Sequence, residues 1–190
     1  MALNPPPAAL DHLAAAVAEL RLGRAAAAGT NVRLVARPLW HVTVAFLGEV
    51  DERRAGPAAA ALQAAAAQWR AAVPGPMRLR LAGVGRFGRG RFTILWVGVA
   101  GDLDRLRSLN EGLRRQLRRA RVPYDRKPLR PHLTLARPGG RIAAEELRAD
   151  LTELGGYAGP EWVADALHLV RSHPGPKPVY EPVASAPLSR

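Results

Sequence analysis

Two segments of this chain, about half its length apart, repeat the same pattern of residue types. The first, HVTVAFLG, begins at His41, and the second, HLTLARPG, begins at His132. Both read histidine, aliphatic, threonine, aliphatic, alanine, two variable residues and glycine. A repeat at this spacing indicates an internal duplication, so we expect a fold of two similar lobes that each contribute one copy of the motif.

The alternation of polar and aliphatic residues within each copy predicts a β-strand. Because successive side chains of a strand point to opposite faces, His41 and Thr43 share one face, and the two valines that alternate with them share the other. The second copy repeats this arrangement with His132 and Thr134. We expect each aliphatic face to bury into its lobe and the two polar faces to meet across one cleft.

Two symmetrically held histidines suit acid–base chemistry, although an isolated strand histidine is more often structural. Opening a cyclic phosphodiester needs one group that takes a proton from the attacking water and one that protonates the leaving oxygen. Imidazole, with an ordinary pKa of about 6.5, serves both roles near neutral pH. The hydroxyls of Thr43 and Thr134 would donate to phosphate oxygens that gain charge in the transition state. We therefore expect His41, His132, Thr43 and Thr134 to form a catalytic site that uses no metal ion and no other cofactor.

The remaining periodicities predict an α+β protein in which helices and strands are interleaved. Helices are predicted over residues 8–20, 57–73, 103–117 and 143–154, and strands over 32–35, 41–47, 77–84, 92–99, 132–136, 162–170 and 179–184. Residues 24–31 and 85–91 are predicted to be loops. We expect one bilobal domain over residues 1–190, with two antiparallel-rich sheets and outer helices around a central cleft.

The charge of the chain narrows the class of its partners. A formal net charge of +12 favours a polyanion such as RNA, because cations that neutralise phosphates release condensed counterions. A solvated basic surface without a specific partner is the alternative. The absence of cysteine excludes disulfides and thiolate chemistry. Neither a signal peptide nor an apolar stretch of about 18 residues is visible, so we expect a cytoplasmic protein without a membrane association.

The paired motifs resemble those of the 2′-5′ RNA ligase or RNA 2′,3′-cyclic phosphodiesterase family of the two-histidine phosphoesterases. The resemblance extends from about Ala8 to Leu188 and includes residues 32–35, 41–50, 130–137, 171–172 and 180–182. It implies a bilobal α+β fold. It also implies an enzyme that opens terminal 2′,3′-cyclic phosphates of RNA to 2′-phosphates, with weak reverse 2′-5′ joining.

The resemblance also implies roles for single residues. His41 in the first motif would be the general acid, and His132 in the second would be the general base. Arg137, directly after the second motif, would bind phosphate, and Arg130 is a second candidate for the same task. Members of the family usually begin with an apolar strand. Here only Ala2 and Leu3 stand between Met1 and Asn4 with its prolines, so either the chain starts late or this strand is shortened.

Two further features of the sequence have competing interpretations. Trp40 and Phe46 flank the first motif, where they would either pack into the core or stack on a base, and Phe46 is our candidate for substrate binding. Gly83, Gly85 and Gly88 have the spacing of a dinucleotide-binding loop. A predicted strand, not a helix, follows these glycines, which argues against that function.

Two alternatives to an RNA-processing enzyme stay open. A non-catalytic RNA-binding module would account for the charge equally well, although it would not explain why both motifs keep histidine and threonine together. The same chemistry on small cyclic nucleotides is the other alternative. None of these functions requires a protein partner, and we expect a monomer.

Overall fold

The fold is built from two four-stranded antiparallel sheets with helices packed around them. The computed structural model describes residues 1–173, 175 and 178–189. In chain order the strands are β1 Ala2–Leu3, β2 Val42–Thr43, β3 Arg78–Phe87, β4 Ile94–Gly101, β5 His132–Ala136, β6 Trp162–Val163, β7 Ala166–His173 and β8 Val179–Pro187. The first sheet has the order β2-β1-β7-β8 and the second has the order β5-β4-β3-β6. These two sheets confirm the predicted α+β class.

The described part of the chain contains five α-helices and three short 3₁₀ turns. The α-helices are α1 Pro7–Glu19, α2 Arg21–Ala27, α3 Ala55–Ala72, α4 Leu103–Arg119 and α5 Ala144–Gly155, and the 3₁₀ turns are Arg37–Leu39, Glu52–Arg54 and Gly90–Phe92. Four of the five leucines spaced along α4 are fully buried, as their helical periodicity predicts, and Leu103 in the first turn is half-buried: the buried four are Leu106, Leu109, Leu113 and Leu117. None of the described helices combines the length and the apolar character needed to cross a membrane.

The first-motif strand is shorter than predicted, because its neighbour β1 is short. Strand β1 pairs Ala2 with Thr43 and Leu3 with Val42, and the prolines that follow Asn4 lead directly into α1. Beyond Thr43 the N–H groups of Val44 and Ala45 both donate to the Met1 carbonyl, so the regular ladder ends there. Strand β1 is nevertheless central in its sheet, since it also pairs with β7.

Four other predictions from the sequence were wrong in detail. The predicted strand over 32–35 is an isolated bridge between Leu34 and Ala136, since Arg33 has a positive φ of 52° that interrupts extended backbone. The predicted strand over 162–170 divides, because the chain leaves the second sheet after Val163 and enters the first at Ala166. The predicted loop over 24–31 begins inside α2, and the predicted loop over 85–91 begins inside β3, which stays paired with β4 as far as Phe87.

Helices α1, α2 and α4 each connect strands of one sheet and pack beside the other, whereas α5 packs on the sheet whose strands it connects. Helices α1 and α2 connect β1 to β2 in the first sheet, yet α1 contacts β3, and α2 contacts α5, which itself lies on β3. Helix α4 connects β4 to β5 in the second sheet, yet it packs on α3, which covers β7 and β8. The Asn110 side chain of α4 also donates to the carbonyl of Val44, just after β2, over 2.7 Å. Because these helices connect strands of one sheet and pack beside the other, the two sheets are held together by this exchange of helices.

Asp150 of α5 joins two helices through a buried carboxylate. Its side chain is fully buried, and its two oxygens accept the backbone N–H groups of Arg21 and Leu22 at 3.0 Å each. These groups begin α2, whose first N–H donors have no partner within the helix. Because a helix N-terminus carries partial positive charge, the carboxylate caps α2 and fastens it to α5.

Asp150→Ala should therefore destabilise the protein by about 2–4 kcal/mol, because it removes the cap and leaves buried donors unpaired. The midpoint of urea unfolding monitors this loss. The matched control is Glu153→Ala on the same helix, which removes an exposed 3.5 Å ion pair with Arg21 and should change stability by less than about 1 kcal/mol. Equal effects of the two substitutions would show that the buried carboxylate has no special role.

Candidate active site

The two repeated motifs lie on the edge strands of the two sheets. Strand β2 ends the first sheet, β5 ends the second, and these two strands contact each other. The four polar side chains of the motifs are half-buried, whereas the aliphatic residues that alternate with them are buried: Val42, Val44, Leu133 and Leu135. The strand alternation read from the sequence therefore correctly assigns the two faces.

His41 is oriented by the backbone immediately before it. Its Nδ1 lies 2.8 Å from the carbonyl oxygen of Leu39. A carbonyl only accepts, so Nδ1 carries the hydrogen, and in the neutral ring Nε2 is the free base. Nε2 lies 3.1 Å from Thr43 Oγ1. The threonine hydroxyl can donate to neutral imidazole or accept from imidazolium.

His132 is held in the same way. Its Nδ1 lies 2.6 Å from the carbonyl oxygen of Arg130, again two residues earlier in the chain. The same argument puts the hydrogen on Nδ1 and leaves Nε2 as the base of the neutral ring. Thr134, two residues further along β5, pairs with Trp96 of β4. Each motif histidine thus has one ring nitrogen committed to the backbone and the other available for proton transfer.

An aromatic ring meets each histidine edge-on. Tyr180 of β8 lies 5.2 Å from His41 between ring centroids, at an interplanar angle of 71°. Phe87 of β3 lies 5.0 Å from His132 at 84°, and Trp96 lies 5.9 Å from the same imidazole. These contacts restrict ring rotation about the side-chain bonds. The sequence did not predict a role for Phe87 or Trp96.

Gly85 provides the room that Trp96 occupies. The two residues face each other across β3 and β4, and a Cβ at Gly85 would lie 2.2 Å from the indole ring. A Cβ at Gly88, in the turn of the same hairpin, would lie 2.4 Å from the Phe92 carbonyl oxygen, and φ at Gly88 is +69°. The glycines that match a dinucleotide-binding pattern therefore serve a β-hairpin, as the predicted strand after them indicated.

Burial lowers the pKa of His41 below its ordinary value. The hydrogen bond to the Leu39 carbonyl raises the pKa, but this effect is smaller than that of burial. The nearby positive charges, including His132, lower the pKa further. In the ligand-free site His41 is therefore mainly neutral at pH 7. An anion beside Nε2 would favour the imidazolium and move the pKa back upward.

Two adjoining cavities meet at the first motif. One, of about 420 Å³, is lined by His41, Tyr180 and Thr43. The other, of about 600 Å³, is lined by Thr43, His132 and four charged side chains: Arg114, Asp125, Lys127 and Arg130. Thr43, Ala45 and Phe46 line both cavities. The two histidines therefore open onto neighbouring parts of one cleft with an excess of positive charge.

The remaining candidate residues differ in their positions. Phe46 is 63% exposed and lines both cavities, so it does not pack into the core. Trp40 is buried and donates from Nε1 to the Val35 carbonyl, which identifies it as a core residue. Arg130 lines the cavity of His132. Arg137 is exposed, lines neither cavity, and donates its backbone N–H to the Arg33 carbonyl.

Over the described residues, no group of three or more His, Asp or Glu side chains is arranged to hold a metal ion.

Two edge strands that each carry a His-x-Thr motif into a shared cleft are the arrangement of the two-histidine class of phosphoesterases. The chain belongs to the 2′-5′ RNA ligase superfamily, whose family model matches residues 7–176.

Comparisons with individual proteins agree with this family. The chain is 35% identical, over 157 residues, to an RNA 2′,3′-cyclic phosphodiesterase of Geobacillus stearothermophilus, a match that covers 78% of this chain and 45% of that protein. The chain thus spans less than half of that relative. A protein of the same description from Aeropyrum pernix is 32% identical over 128 residues, which cover 67% of this chain and 69% of the relative.

Solved structures share the fold over nearly the whole chain. TT0787 of Thermus thermophilus has a TM-score of 0.69 at 27% identity, with 98% of this chain and 95% of that chain covered. E. coli LigT complexed with NADP+ has a TM-score of 0.66 at 22% identity, with 100% and 95% covered. At that identity the E. coli structure supports the fold alone.

The electrostatics of His41 can be tested by NMR titration of its ring carbons. In the ligand-free protein we expect a pKa below the ordinary value of about 6.5, and an upward shift when inorganic phosphate is added. The pKa of His41 is then lower in the folded chain than in the unfolded chain, so the unfolded chain binds a proton at this imidazole at higher pH. The free energy of unfolding should therefore decrease as the pH falls below about 6.5. The urea-unfolded protein provides the reference titration. A pKa in the folded protein at or above that reference would contradict the burial of this imidazole.

Proposed function

We propose that this protein opens terminal 2′,3′-cyclic phosphates of RNA to 2′-phosphates, with His41 as the general acid and His132 as the general base. The observation that carries the proposal is the matched pair of hydrogen bonds that commit Nδ1 of each histidine to a backbone carbonyl. Each Nε2 is then free to exchange a proton in the cleft. The relatives named RNA 2′,3′-cyclic phosphodiesterase support the choice of substrate.

The reaction is a displacement at phosphorus by water. Nε2 of neutral His132 accepts a proton from the water as its oxygen bonds to phosphorus. The bond from phosphorus to the 3′-oxygen breaks, and Nε2 of the His41 imidazolium protonates that oxygen. The products are a 2′-phosphate and a 3′-hydroxyl, and proton exchange with solvent restores both histidines. With the 5′-hydroxyl of a second RNA in place of water, the same displacement would join the two RNAs weakly through a 2′-5′ linkage: His132 accepts the proton of that hydroxyl, and His41 protonates the departing 3′-oxygen.

The lowered pKa of His41 fits the role of acid. An imidazolium of low pKa is a strong proton donor, provided that the bound substrate keeps it protonated until the transition state. The anionic cyclic phosphate supplies that condition, since negative charge near Nε2 favours the protonated ring. The hydroxyls of Thr43 and Thr134 would donate to the non-bridging oxygens as their charge increases.

Substrate contacts are proposed for three further residues. The exposed ring of Phe46 borders both parts of the cleft, where it can stack on the terminal base. Of the two arginines predicted to bind phosphate, we favour Arg130, because its side chain lines the cavity of His132. Arg137, exposed and outside both cavities, would instead contact RNA at the margin of the cleft.

We further propose that the protein acts as a monomer without an obligate protein partner. Both histidines, both threonines and both sheets come from one chain, so the cleft is complete without a second copy. Light scattering after gel filtration would test this proposal, and a stable dimer would overturn it.

Replacing either His41 or His132 by alanine should lower turnover of a 2′,3′-cyclic-phosphate oligonucleotide by at least about 100-fold, since general acid–base catalysis typically contributes 10²–10⁴. The product is assigned by the position of its phosphate. His12→Ala, which removes an exposed imidazole bonded to Tyr157, is the control and should retain normal turnover. Near-normal activity of either motif variant would refute the two-histidine mechanism. Tight binding of the cyclic end by the wild-type protein without turnover would instead favour a binding module.

A chelator should leave the rate unchanged, because both proton transfers are assigned to imidazoles. The assay compares turnover of the same oligonucleotide before and after dialysis against EDTA. Activity that disappears on dialysis and returns with zinc or magnesium would contradict a metal-independent reaction.

A further inference from the structure

A second basic cavity lies at the carboxyl end of α4, outside the catalytic cleft. It has a volume of about 400 Å³ and is lined by four arginines, one tyrosine and two small apolar residues. The arginines are Arg54, Arg118, Arg121 and Arg126. No acidic residue lines it among the residues that the structure describes. Guanidinium groups in this arrangement are suited to phosphate oxygens.

The charge of this arginine cavity is largely uncompensated. Arg54 is 3.7 Å from Asp51, an exposed ion pair. Within residues 1–173, 175 and 178–189, no carboxylate forms an ion pair with Arg118, Arg121 or Arg126. Arg118 is fixed by a 3.0 Å hydrogen bond to the hydroxyl of Tyr124. The helix dipole accounts for a cation at Arg118 in the last turn of α4, but not for two more beyond it.

Arg121 occupies a backbone position that favours glycine. Its φ is +53°, and it directly follows Ala120, the C-cap of α4. The Val122 N–H donates to the Leu117 carbonyl and the Arg121 N–H donates to that of Arg118, the two bonds of a Schellman motif. Glycine adopts this left-handed conformation without strain, whereas arginine does not. Arg121 thus places a positive charge at the cavity, at a backbone position where glycine would make the folded protein more stable.

A short ridge separates the arginine cavity from the catalytic cleft. Along residues 124–127 the side chains alternate, with Tyr124 and Arg126 lining the arginine cavity, and Asp125 and Lys127 lining the cleft of His132. Arg114, one turn before Arg118 on α4, holds this ridge by donating to the carbonyl of Asp125 over 3.4 Å, and it also lines the catalytic cleft. A polyanion that leaves the cleft across the ridge would therefore reach the arginine cavity directly.

We propose that the arginine cavity binds backbone phosphates of the RNA strand upstream of its cyclic end. This inference rests on the proposed function, and it makes the preferred substrate an oligonucleotide, not a cyclic mononucleotide. The terminal nucleotide occupies the catalytic cleft, and the strand crosses the ridge to the cavity.

The first test is the double variant Arg118→Ala/Arg126→Ala. For a cyclic-phosphate oligonucleotide, kcat/KM should fall at least about tenfold through KM, and the dependence of log K on log salt should become shallower by about 0.7 for each phosphate that the variant no longer neutralises. Turnover of a 2′,3′-cyclic mononucleotide should not change. Arg107→Ala is the matched control, because it removes an arginine that pairs with Asp104 near the start of the same helix. An unchanged oligonucleotide KM, or an equal loss on both substrates, would overturn the inference.

Arg121→Gly separates binding from folding. This variant relieves the left-handed strain, so its unfolding temperature should rise, while its KM for the oligonucleotide should increase several-fold. A rise in stability with an unchanged KM would contradict a contribution of Arg121 to RNA binding. If the wild-type protein turned over neither substrate, this result would contradict the proposed function but would not test RNA binding by the arginine cavity. Fluorescence anisotropy with a labelled oligonucleotide ending in a 3′-hydroxyl would then decide the inference, and equal affinity of wild type and double variant would refute it.

Discussion

The hydrogen bond from each histidine Nδ1 to the carbonyl two residues earlier is the interaction on which the candidate site depends. It selects one tautomer of the neutral ring, sets the direction of the ring and leaves Nε2 available for proton transfer. The carbonyl belongs to the chain that enters the strand, so the orientation of the ring is built into the local backbone. Because the bond occurs in both motifs, the two imidazoles have the same tautomer and are oriented in the same way. Any difference in their chemistry therefore comes from the residues around them.

Those surroundings differ in the rings that pack beside the imidazoles. His41 lies against Tyr180, and burial lowers its pKa, whereas His132 contacts Phe87 and Trp96 on the other sheet. A symmetric scaffold can therefore support two unlike proton-transfer roles, because its two halves diverge in the residues around the motif. A bound anion would add to the difference between the histidines by stabilising the charge on His41.

Much of the site could be predicted from the sequence, because strand alternation is a local property. The repeat and its period of two identified which motif side chains are buried and which are half-buried, and the leucine spacing of α4 identified its buried face. The passage of the chain between sheets after Val163 could not be predicted, since it depends on pairing with distant strands. The exposure of Phe46 and the space at Gly85 are likewise properties of tertiary packing. Local patterns do not contain that information.

The exchange of helices between the two sheets has a consequence for the origin of the molecule. A β4–α4–β5 unit, taken alone, would leave the side of α4 that packs on α3 without a partner. We therefore expect that an ancestral polypeptide with a single motif existed as a pair of intertwined copies. Joining them end to end would have made the meeting of the two imidazoles independent of protein concentration, and it would have freed each copy to evolve separately.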